Sequence, residues 1–127
     1  MTKTEFPWVR TEPVALTEDH ILSVLIVRRA RDDAIGKDLF SDPAWDILLE
    51  LFAARLGRRH ITARELASSI EMPVSVILRW IRALENRHLV EAASEPSGNG
   101  SVELTAEGLK RLKRLASRWA SAFLAIT

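Results

Sequence analysis

The sequence predicts a mainly α fold with one small β-hairpin, an α+β arrangement. Three observations carry that expectation. Residues 61 to 86 read as a short helix, a tight turn at Glu71-Met72-Pro73 and a second helix. Residues 89 to 104 hold two short strands around Pro96-Ser97-Gly98-Asn99-Gly100, which has turn composition. Long apolar helical patterns flank this unit, at 17 to 37 and 106 to 124. Together these make a winged helix-turn-helix with supporting helices in a single domain. The expected organisation is an irregular arm at 1–16 followed by one domain at 17–127. Within that domain, 17–57 and 106–124 support and dimerise, and 58–105 form the winged unit.

Each element has its own signal. Thr17 is an N-cap ahead of Glu18 and Asp19, which suit the positive end of a helix dipole. That helix is expected to run to about Lys37, past Gly36. Its apolar residues Ile21, Leu22, Leu25, Ile26 and Val27 cover more than one narrow stripe, so it is expected to touch more than its own core. Asp42-Pro43 starts the next helix, a cap followed by a first-turn proline. Trp45, Leu48, Leu49 and Phe52 give that helix its spacing, and Gly57 stops it. Thr62-Ala63-Arg64-Glu65 is a capping box opening a helix at 63 to 70, with Ile61 before it as a short third strand. Pro73 opens the next helix, whose core face is Ile77, Trp80 or Ile81, and Leu84. Val74, Ser75, Leu78, Arg79 and Arg82 are expected on the opposite side. Thr105 caps a last helix through Leu109, Leu112, Leu115, Trp119, Ala122 and Phe123.

Composition excludes several functions. The 127 residues are 47% hydrophobic and 28% charged, as in ordinary globular domains, and fit one domain. With no cysteine there is no disulfide framework, thiolate metal site or thiol nucleophile; this suits a cytoplasmic protein. No apolar run is long enough to span a membrane, and Glu5 close behind Lys3 does not fit a secretion signal. His20, His60 and His88 lack metal-ligand spacing, and no catalytic set or phosphate loop appears. Neither an enzyme nor a cofactor is therefore expected. The net charge is only +1, but its distribution is uneven. Residues 55 to 88 carry 7 arginines against 3 glutamates, and residues 1 to 54 carry 6 basic against 10 acidic side chains. The positive excess falls on the helix-turn-helix.

The run Leu84-Glu85-Asn86-Arg87-His88-Leu89-Val90-Glu91 and the strand exit Val102-Glu103-Leu104-Thr105-Ala106-Glu107-Gly108 resemble those of the multiple-antibiotic-resistance regulator (MarR) family of bacterial transcription factors. Asp42-Pro43-Ala44-Trp45 also looks like some members. The resemblance covers about residues 17 to 124. It implies a symmetric dimer, interlocked through N- and C-terminal helices, with two reading heads on a pseudo-palindromic operator. It also implies a small aromatic ligand that shifts the spacing of the heads. Three departures stand out. The turn Glu95 to Gly100 has no arginine, where the family presents one to the minor groove. Pro73 stands in place of a serine cap, and His88 in place of a glycine.

The candidate DNA-binding residues follow from the helix-turn-helix. Arg79 and Arg82 can read guanine or clamp phosphates. Val74, Ser75 and Leu78 share their helix, and Ser75 can donate to a phosphate or base. Arg58, Arg59 and Arg64 are expected near flanking phosphates, with Asn99 at the hairpin tip. Trp8, Trp45, Trp80 and Trp119 could wall an aromatic ligand, although tryptophans at helical spacing are more often core. The rival reading is a winged-helix protein-interaction module without DNA binding, favoured by the uncharged hairpin tip.

Overall fold

A computed structural model gives the fold of residues 16–36, 42–93 and 97–126; side chains are described for these except Arg31 and residues 119–126. The order is α1 (Glu18–Ile35), α2 (Pro43–Leu56), β1 (Ile61–Thr62), α3 (Ala63–Ile70), α4 (Val74–Asn86), β2 (Val90–Ala92), β3 (Ser101–Leu104) and α5 (Ala106–Ile126). The three strands form an antiparallel sheet in the order β1-β3-β2. Ile61 pairs with Val102 and Thr62 with Ser101; Val90 pairs with Leu104 and Ala92 with Val102. Of the expected arm at 1–16, only Leu16 lies within the described residues, packed partly buried against the core.

Helix α2 is the centre of the molecule. It packs against α1, α3, α4 and β3. Ile47, Leu49, Leu51, Phe52, Ala53 and Ala54 are all buried. The stripe expected from spacing was therefore too narrow: a helix apolar on every side is one surrounded by others. Asp42 Oδ1 accepts from the Trp45 amide at 3.4 Å and caps the helix, as its sequence suggests. Its remaining polar surprise is Glu50, treated below.

Helix α1 ends at Ile35, not past Gly36. Gly36 has φ 138°, a backbone conformation that a side chain resists, and its amide bonds Asp32 O at 2.9 Å to close the last turn. Ile21 and Leu25 face the core, whereas Ile26, Val27 and Ile35 are more than 60% exposed.

The two motifs that carried the family resemblance pack on each other. The Thr105 amide donates to Leu89 O (3.0 Å), its hydroxyl donates to His88 O (2.7 Å), and the same hydroxyl accepts from the Gly108 amide (2.9 Å). A Cβ on Gly108 would overlap the Leu89 carbonyl oxygen, so the first turn of α5 can sit here only with glycine. His88 has φ 61°, in the left-handed region. That explains why glycine suits the position in the resembling family, and it leaves this chain with local strain.

Candidate nucleic-acid interface

The reading head is built on α3, the turn Glu71 to Pro73, and α4. The α3 capping box is present: Thr62 Oγ1 accepts from the Glu65 amide, and Glu65 Oε1 from the Thr62 amide, both at 3.1 Å. Glu71 ends α3 in the left-handed conformation, φ 61°, and turns the chain into α4. Pro73 fills the N-cap of α4, where its lack of an amide hydrogen costs nothing.

Helix α4 turns Ile77, Ile81 and Leu84 into the core. Ser75, Arg79 and Arg82 are exposed on the opposite face, as expected. Asn86 continues that face at the next helical step and is also exposed; it was missed because it sits at the helix end. At 1.5 Å per residue this stripe runs about 16 Å, enough to follow a major groove. Val74 and Leu78 do not belong to it. Both are half-buried against the core, and Val74 also faces the wing tip, its Cγ1 lying 2.9 Å from where a Cβ on Gly98 would sit. Trp80, offered as one alternative on the core face, is 40% exposed, and Ile81 takes the inward place.

Arg64 and Asn99 come together although 35 residues separate them. Arg64 Nε donates to Asn99 Oδ1 at 3.3 Å, a terminal guanidinium nitrogen donates to Ser97 O at 2.5 Å, and the Arg64 amide donates to Gly98 O at 2.9 Å. The hairpin tip is thus folded onto the start of α3.

Arg58 and Arg59 are placed elsewhere. β1 runs towards the tip, since Thr62 pairs with Ser101, so residues 58 to 60 lie off the opposite end of the sheet. Arg59 is also ion-paired with Glu18. Arg58 is exposed, with φ 55°. Neither shares the face of Arg64, Arg79 and Arg82, so their expected position beside that face is corrected by the strand register.

The electrostatics separate the two groups of arginines. No carboxylate lies within ion-pairing distance of Arg64, Arg79 or Arg82 among the described residues, whereas Arg28, Arg29 and Arg59 each have one. Two clefts flank the core. One, of about 270 Å³, lies between α1, α2 and the end of α3, lined by Leu25, Arg28, Arg29, Asp46 and Ile70 among others. The other, of about 290 Å³, lies beside Arg55, Arg58 and Glu103. Neither Trp45 nor Trp80 lines either cleft. Trp8 and the side chain of Trp119 lie outside the described residues. Among the described residues no group of three His, Asp or Glu side chains is arranged to hold a metal, and no helix is long and apolar enough to cross a membrane.

No family model and no curated protein matches the chain. Solved structures do. A protein named as a candidate DNA-binding protein, from Ralstonia eutropha, is similar at 29% identity and a TM-score of 0.52, over 59% of this chain and 96% of that one. MepR, a transcription regulator of the multidrug efflux pump MepA in Staphylococcus aureus, is similar at 14% identity and a TM-score of 0.57, over 87% of this chain and 82% of its own. The same regulator in complex with DNA matches with a TM-score of 0.55 at 14% identity, over 81% of this chain and 85% of that one. The chain has the winged helix-turn-helix fold of MepR.

Proposed function

We propose that the chain is a sequence-specific, double-stranded-DNA-binding transcription regulator that works as a homodimer on a pseudo-palindromic operator. One observation carries the reading: Arg79 and Arg82, exposed and without a carboxylate partner among the described residues, stand with Ser75 and Asn86 on the outward face of α4. Uncompensated guanidinium groups at a helix face are disposed to bind phosphates and guanine edges. The similarity to MepR, solved in complex with DNA, supports DNA binding, and helix-turn-helix units generally place their second helix, here α4, in the major groove.

Homodimerisation is supported by α1. Ile26 and Val27, neighbours on the helix and both more than 60% exposed, offer apolar surface that a second copy would cover. Light scattering at micromolar concentration should give about twice the chain mass of 14.3 kDa. The same reading includes a small aromatic effector that changes the spacing of the two heads. The protein would act by binding, without catalysis, in the cytoplasm. The rival reading is a winged-helix protein-interaction module without DNA binding; Arg64 of α3, held by the hairpin tip, supports the DNA-binding reading instead.

The test is selection of bound sequences from a random duplex library. The wild type should enrich a two-fold-related motif, and Arg79→Ala should relax preference at one base pair in each half. Absence of any enriched motif would overturn the reading.

A further inference from the structure

We propose that Arg64, a residue of α3, is the cation that the wing presents to a DNA backbone phosphate, and that the wing tip serves as its clamp. The inference rests on the DNA-binding reading above. The wing offers no basic residue: Ser97, Gly98, Asn99 and Gly100 are neutral, and Glu91, Glu95 and Glu103 are acidic. Its acceptors nevertheless converge on one guanidinium: Ser97 O at 2.5 Å and Asn99 Oδ1 at 3.3 Å. Two of the five guanidinium N–H donors are used there by the described residues, and a phosphate could take the others. The side chain is exposed, and no carboxylate neutralises it among the described residues.

The tip can reach this position because of Gly98. Its φ is +86°, and a Cβ there would sit 2.9 Å from Val74 Cγ1 and 3.6 Å from the Arg64 amide nitrogen. Gly98 is buried, wedged between the first turns of α3 and α4. Its carbonyl accepts the Arg64 amide, one of the donors that a helix start leaves without an intrahelical partner. The tip therefore finishes the cap of α3 and holds the arginine with the same few atoms. A cation in the first turn of a helix opposes the helix dipole. The wing carbonyl oxygens offset that repulsion and fix the side chain's direction. The wing and the two first turns form one preorganised surface, on which Arg64 takes the place of a wing arginine.

The test compares Arg64→Gln with Arg64→Lys, measuring affinity for random duplex DNA across a salt series. Each lost phosphate contact lowers the salt slope by roughly 0.9, so a dimer carrying Arg64→Gln should lose about two units. Arg64→Lys keeps the charge without the planar fork and should hold the slope within about half a unit. Amide exchange at residue 64, bonded to Gly98 O, reports whether the tip stays docked. Two results would overturn the proposal: an unchanged slope in Arg64→Gln, or equal slope losses in both variants, which would make Arg64 a structural clamp only. A wild type with no salt-dependent binding at all would instead defeat the DNA-binding reading itself.

Discussion

Arginines on the support side of the molecule and arginines on the reading head are treated differently. On the support side, Arg28 meets Asp46 at 2.9 Å, Arg29 meets the buried Glu50 at 2.5 Å, and Arg59 meets Glu18. On the head, Arg64 is held by neutral acceptors, and Arg79 and Arg82 have no carboxylate partner among the described residues. Charge counts cannot distinguish the two groups; only partners can. The paired arginines join elements. Arg29 and Ser69 Oγ (2.8 Å) both reach Glu50, so α1, α2 and α3 share one carboxylate. The unpaired arginines keep their charge for another molecule. Stability and recognition should therefore fail separately when each set is broken.

The largest effect is expected at Glu50. Its side chain is 8% exposed, and its removal strands Arg29 and the Ser69 hydroxyl. Glu50→Ala should cost about 2–3 kcal/mol in chemical denaturation. That is below the roughly 3–5 kcal/mol of a fully buried pair, because Arg29 is half exposed. The salt slope of DNA binding should not change. If it drops, the support network reaches the reading face and the separation is false.

Arg79→Ala should do the reverse. Denaturation should move by no more than about 0.5 kcal/mol, as for other exposed positions. Discrimination against a mismatched operator should fall by about 1–3 kcal/mol. Equal losses on operator and random duplex would show that Arg79 touches only phosphate.

His88→Gly sharpens the comparison from the side of strain. Removing a side chain from φ 61° should raise stability by about 0.5–1 kcal/mol, without altering DNA affinity, since His88 lies at the far end of α4. An unchanged or lowered stability would mean that His88 gains more from its surroundings than it loses in its backbone.

The smallest effect concerns Asp46. Burial raises its carboxyl above the usual 3.8, against the opposing pull of Arg28. The folded protein thus binds this proton more tightly than the unfolded chain does. The contribution to stability is complete below pH 3.8 and is lost as pH rises through the higher folded value. Asp46→Asn cannot titrate, so the wild type should lose stability relative to this variant across that acid window and run parallel to it at higher pH. Denaturation at stepped pH measures the difference; a constant offset would contradict it.

The element order and the caps were legible because each rests on local chemistry: Asp42-Pro43, the capping box from Thr62 to Glu65, and the turn before β3 all formed where their residues point. Ser75, Arg79 and Arg82 were legible through helical spacing alone. What was not legible depends on contacts between distant segments. Glu50 looks like the polar edge of an apolar helix until α1 and α3 close over it. Arg58, Arg59 and Arg64 all read as basic residues near the head; the register of β1 sends two to the far end of the sheet and leaves one under the wing tip. Val74 and Leu78 lie on the non-core side by helical angle, yet both pack half-buried against the core.

The central claim is that the unpaired arginines of the head exist to meet DNA phosphates and bases. The salt dependence of wild-type binding to duplex DNA tests it most directly. Arg64 and Arg82 on phosphate at each of two heads, with Arg79 on a base edge, predict a slope of roughly −4 in log affinity against log salt. A slope near zero, or no binding at low salt, would contradict it.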